Sequence, residues 1–169
     1  MENTLYYTFS TIAQTLAGAI ALLGAFILYR LQSLNNGLDD HAKFIRKLYL
    51  EDVDLIFLNS FIVKGEYNKF LEYTRGKPAD AGTLEEHSYI TEVQAKIEEL
   101  LVFKRSLIRS FTVSLVLTVS LIAVSVMLLS VTPSISSRAE LRSSCLALAT
   151  VWFVACLISY VALLRKSLF

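Results

Sequence analysis

Three long stretches of this chain carry no charged side chain: Asn3–Tyr29, Ser110–Ser137 and Ser143–Leu164 contain no Asp, Glu, Lys or Arg. A helix crosses the hydrocarbon of a bilayer with about 20 mostly apolar residues, and each stretch is at least that long. Inside lipid the backbone has no water to bond to, so only helices and closed barrels span it. The runs are continuous and lack the period-two alternation of strands, so helices are expected. The totals agree. Mean hydropathy is +0.53 and 18% of residues are charged, against about 25% in soluble chains. The fold class predicted is an all-α integral membrane protein: three transmembrane helices, with a cytoplasmic helical hairpin between spans one and two.

The placement of basic residues predicts orientation. The leading Met1-Glu2-Asn3-Thr4 lacks the basic n-region of a cleaved signal peptide. Lys and Arg begin only at Arg30, and twelve of the 16 fall between Arg30 and Arg109. Positive charge is retained on the cytoplasmic side. The expectation is a multi-pass protein of the cell (inner) membrane, N-terminus outside and C-terminus cytoplasmic. Its expected boundaries are a first span at 1–31, a cytoplasmic region at 32–105, a second span at 106–131, an external loop at 132–141 and a third span at 142–169. Tyr6, Tyr7 and Tyr29 suit the interfaces, whereas Trp152, well inside span three, suits packing. Cys145 and Cys156 lie turns apart on one helix, so they cannot pair within the chain.

The faces of the spans are informative. Ala13, Ala17, Ala21 and Ala25 recur every four residues beside Gly18, spacing that lets helix backbones approach closely. These five residues are the expected oligomer interface. Ser10 and Gln14 form a second row with Gly18, and Ser110, Ser114 and Thr118 form a stripe on span two. Those five polar residues are candidates for a pore lining or polar seam; hydroxyls bonded back to their own helix are the alternative.

Between the first two spans, Asn35, Asn36 and Gly37 predict a break over 31–38. A helix is expected from Asp39 to about Val63, with Ile45, Leu48, Leu55 and Ile62 on a similar face, and a shorter one over Glu66–Thr74. Arg75-Gly76-Lys77-Pro78 opens a loop. Thr83-Leu84-Glu85-Glu86 has the pattern of a capping box. The helix it starts carries Ile90, Val93, Ile97, Leu100 and Leu107 in a coiled-coil-like stripe, with Lys104 in register. Nothing interrupts it before Ser110, so it is expected to continue into span two. Pro133 is expected to end that helix, and Ser137-Arg138-Ala139-Glu140 to cap the third. The hairpin is too small for a large core of its own, so neighbouring subunits should support it.

Catalytic motifs are absent: there is no Gly-rich phosphate loop, HExxH, CxxC or Gly-x-Ser-x-Gly. Asp39-Asp40-His41 cannot converge on one metal, because adjacent helical residues point to different faces; the acids suit a helix N-terminus. Neither enzymatic activity nor a metal or cofactor is expected. The segment from Lys64 to Lys77 interleaves Lys64, Lys69, Arg75 and Lys77 with Tyr67, Phe70 and Tyr73. Phosphate pairing beside aromatic stacking suits an anionic nucleotide or oligonucleotide; a solvated helix end is the alternative. Residues 32–105 hold 10 basic against 13 acidic side chains, which argues against a broad polyanion surface. Lys104, Arg105, Arg109, Arg165 and Lys166 suit lipid headgroups.

The close-packing stripe, the uncharged polar rows and the small hairpin together predict a homo-oligomeric membrane channel gated through its cytoplasmic region. The alternative is a non-conducting sensor or scaffold that recruits a soluble cytoplasmic partner through the Ile90–Leu107 stripe. In layout the chain resembles small membrane effectors that some bacterial antiviral systems use to depolarise the cell upon a nucleotide signal. That resemblance implies a pore-forming effector in a defence setting.

Overall fold

The computed structural model describes residues 2–49, 52–76, 84–136 and 139–168. Among these residues all regular structure is helical: α1 Glu2–Arg46, α2 Asp52–Lys64, α3 Tyr67–Gly76, α4 Leu84–Ser136 and α5 Ala139–Leu168. Three segments are long and apolar enough to cross a membrane: Leu5–Arg46, Ser88–Val131 and Ser143–Leu168. Contacts divide the chain into two compact units, one of Met1–Tyr29 with Leu107–Phe169, the other of Arg30–Ser106.

The expected break over 31–38 does not occur. Helix α1 passes through Asn35, Asn36 and Gly37 without interruption. Glycine costs about 1 kcal/mol in a helix interior, and the packing of this face outweighs it. Leu5, Leu16, Ile27 and Leu38 are all fully buried, each eleven residues after the last, which keeps one face in register over three turns. Leu34 and Ile45 continue the same buried strip, and Asn35 Oδ1 accepts a 2.7 Å hydrogen bond from Lys104 Nζ. The helix expected over Asp39–Val63 is instead two. α1 ends at Arg46 in tight turns, with Leu48 N–H bonded to Ile45 O and Tyr49 N–H to Arg46 O, and α2 starts at Asp52. Such i to i−3 bonds satisfy the last carbonyls of a helix.

Gly65 ends α2. Its φ is +67°, its N–H bonds Ile62 O at 3.0 Å, and the next N–H, of Glu66, bonds Phe61 O at 2.8 Å. This is the paired-bond C-terminal motif that favours glycine in the left-handed region. α3 then begins at Tyr67. Thr83 of the expected capping box, and the loop at 77–82, lie outside the described residues, as does Ser137.

α4 is a single helix from Leu84 to Ser136, so the stripe and span two are continuous. Its buried positions hold one heptad frame: Ile90, Ile97, Thr118 and Ser125 on one row, Val93, Leu107, Ser114 and Leu121 on the other. Pro133 does not end it. Proline's fixed φ is helical and its constraint falls on the preceding turn, so three further residues complete the helix. Residues 132–136 and 139–141, expected in an external loop, are accordingly helical.

Candidate functional site

In the unit of Met1–Tyr29 and Leu107–Phe169, Leu16, Leu23, Leu121, Cys156 and Tyr160 form one buried cluster. Leu5, Phe9 and Ala149 form another. The polar stripe of α4 lies inside this packing. Thr118 is 0% exposed; its hydroxyl donates to Ser114 O at 2.7 Å and lies 2.5 Å from the Tyr160 hydroxyl. With its one proton directed at the carbonyl, Thr118 Oγ1 is the acceptor and Tyr160 the donor. Ser114 is buried beside it, and Ser110 Oγ accepts from Lys166 Nζ at 2.9 Å. Thr118 and Ser110 therefore tie α4 to α5 within one chain, and the side chains of Ser114 and Thr118 are both buried. Ser125 Oγ and Trp152 Nε1 are also buried, without a hydrogen-bond partner among the described residues.

The rows on α1 behave differently. Leu5, Phe9, Leu16, Leu23 and Ile27 are turned into the packing. Gln14, Ala17, Gly18, Ala21 and Ala25 are exposed, with Ser10 and Ala13 half-exposed at their margin. A Cβ built on Gly18 would meet nothing within 4 Å, so the close approach this spacing permits is not made inside the chain. Bulky side chains also stand open on all three long helices: Leu22 and Leu28 on α1, Val116 and Met127 on α4, and Val151 and Ile158 on α5. The five polar candidates thus separate into an exposed Gln14 and a half-exposed Ser10 on α1, and a group on α4 of which Ser114 and Thr118 are buried.

In the unit of Arg30–Ser106 the segment expected to bind an anion does not form a stacking site. Tyr67, Phe70, Leu71 and Thr74 are buried. Phe70, at 0% exposure, sits in a core with Leu38, Ile45, Leu58, Ile62 and Ile97, so no base can reach its ring. The Tyr67 hydroxyl donates to Asp39 at 2.5 Å. Burial, then that hydrogen bond and the charge of Asp39, push the hydroxyl well above its ordinary value, so it remains a protonated donor. Tyr73 lies against the rings of Phe57 and Phe61 and donates at 2.6 Å to Asp54, a carboxylate only 2% exposed. Lys69 pairs with Glu66 at 3.1 Å and Arg75 with Glu98 at 2.6 Å. Lys64 is exposed at the end of α2, and Lys77 is outside the described residues.

The sequence carried the signal for this outcome. Positions 67, 70, 71 and 74 are spaced i, i+3, i+4, i+7, the apolar stripe of a packed helix, and basic residues between them occupy the outer face. A polar brace completes the core: Gln94 Nε2 donates to Thr74 Oγ1 at 3.1 Å, and Tyr49 donates to Thr74 O at 3.3 Å. The coiled-coil stripe is likewise spent within the chain, since Ile90, Val93 and Ile97 are part of the same core. No known protein family, curated protein or solved structure matches this chain.

Proposed function

We propose that this chain is a homo-oligomeric membrane channel or pore-forming effector, assembled through α1 and gated through its helical region between spans one and two. The supporting observation is Gln14, an exposed amide within a segment apolar enough to span a membrane, beside Ala17, Gly18 and Ala21, which no described residue covers. An amide facing hydrocarbon without a partner costs several kcal/mol. A second copy packed on Ala17, Gly18 and Ala21, or water in a lumen shared by several copies, removes that cost. A closed ring of copies supplies both, and the row of Ser10 and Gln14 then faces the shared axis. In this reading the protein sits in the cell (inner) membrane, with its N-terminus outside and residues 32–105 in the cytoplasm.

In this reading gating acts through α1 and α4, each of which contributes residues to both units. A nucleotide signal then acts other than by stacking on Tyr67 and Phe70, which are buried. Against the scaffold alternative, Ile90, Val93 and Ile97 of the stripe pack in the chain's own core. Two measurements test the proposal. The mass in mild detergent should be that of an oligomer, and Ala17→Leu or Gly18→Leu should reduce it by forcing the backbones apart. Planar bilayers containing the oligomer should show discrete conductance steps that Gln14→Leu alters. A monomeric mass defeats the proposal, and an oligomer that never conducts converts it to the scaffold reading.

A further inference from the structure

One end of α5 combines an open apolar strip with two cations. Val154, Leu157, Ile158, Val161 and Ala162 lead along one face of the helix to Arg165 and Lys166. Ile158 and Val161 are 64% and 66% exposed, so no described residue covers the strip. Its dimensions are those of one leaflet. From Val154 to Ala162 the helix rises about 12 Å, against about 15 Å for half of the hydrocarbon core. Arg165 follows about 5 Å further along, at the depth of a phosphate.

The charge at this end has no acidic counterpart on its own unit. The acidic side chains of Met1–Tyr29 and Leu107–Phe169 are Glu2 and Glu140, and Glu140 stands in the first turn of α5, at the opposite end of the helix from Arg165. Arg165 is exposed and makes no ion pair among the described residues. Lys166 Nζ is held on Ser110 Oγ at 2.9 Å, which fixes its ammonium at the border of α4. A guanidinium offers a planar fork that matches two phosphate oxygens, with the lysine as a second point charge.

We infer that this strip binds one anionic glycerophospholipid, an acyl chain lying along Val154–Ala162 and the phosphate on Arg165 beside Lys166. The full chain in mild detergent, titrated with phosphatidylglycerol or with phosphatidylcholine and observed by native mass spectrometry, tests this. Phosphatidylglycerol should be retained preferentially as a single adduct per chain. Arg165→Gln should lower that retention about fivefold, the effect expected of one basic residue at an anionic lipid, with oligomeric mass and helical content unchanged. Ala162→Trp, which crowds the strip beside Arg165, should lower retention of both lipids; if that variant does not fold, Arg165→Gln decides alone. A photoreactive diazirine side chain at position 161 should cross-link to lipid. Equal retention of the two lipids, an unaffected Arg165→Gln, or cross-linking of position 161 to a second copy of the chain would each overturn the assignment.

Discussion

Phe70 distinguishes a packed helix from a ligand platform, because the two uses demand opposite responses to substitution. Its side chain is 0% exposed in the core of α1, α2, α3 and α4 residues from Arg30–Ser106. An aromatic side chain buries about 200 Å², and at about 25 cal/mol per Å² this is worth about 5 kcal/mol. Alanine keeps the Cβ but leaves a cavity, so Phe70→Ala should cost about 3–5 kcal/mol. That is a large share of the roughly 5–15 kcal/mol that holds a domain folded. Phe70→Leu restores most of the volume and should cost less than about 1.5 kcal/mol. Amide hydrogen exchange on the full chain in mild detergent reads both. Protection of α3 should fall about a hundredfold or more in Phe70→Ala, since about 1.4 kcal/mol is a factor of ten. In Phe70→Leu it should fall no more than about tenfold. Unchanged α3 protection in Phe70→Ala would refute the core assignment. Loss of a nucleotide response in a fully protected Phe70→Leu would restore the ring as a stacking platform.

Two further predictions test the polar contacts of each unit. Thr118→Val leaves the buried Tyr160 hydroxyl without its 2.5 Å partner and should cost about 0.6 kcal/mol, at most about 1.7, the range for such bonds in membrane helices. Adding Tyr160→Phe should then cost little more, a coupling that a double-mutant cycle on unfolding in mixed micelles would expose; strictly additive losses would contradict it. For Tyr67, the hydroxyl value is raised in the fold above its ordinary 10.0. The folded chain therefore keeps a proton that the unfolded chain sheds. Its contribution is whole below pH 10.0 and is lost as pH rises above that value. Tyr67→Phe should flatten the fall of stability with pH in that alkaline range, measured by denaturant unfolding at several pH values; an unchanged slope would show that Asp39 and burial do not hold the proton.

The three helices long and apolar enough to cross a membrane were legible because they depend on local quantities. The charge-free stretches are long enough for a bilayer, and a backbone in lipid has few ways to satisfy itself. The long α4 was legible for a similar reason: from Ile90 to Ser110 no Gly or Pro interrupts the pattern. Boundaries were less so. Asn35-Asn36-Gly37 has the composition of a break, yet Leu34 and Leu38 are buried on either side of it and the helix runs through. Local preference is worth about 1 kcal/mol there, less than the burial of two leucines.

What the sequence determined by itself was helix, span and the candidate faces, since each follows from composition and period along one element. Only the tertiary structure decided which faces were already occupied. It turned Tyr67 and Phe70 into the core, joined Thr118 to Tyr160, buried Ser114, and left Gln14 with Ala17, Gly18 and Ala21 uncovered. A polar or small residue has the same identity whether it faces its own chain, a second copy or water. The choice depends on which surfaces the rest of the chain brings against it, and periodicity along a single helix carries no record of its partners.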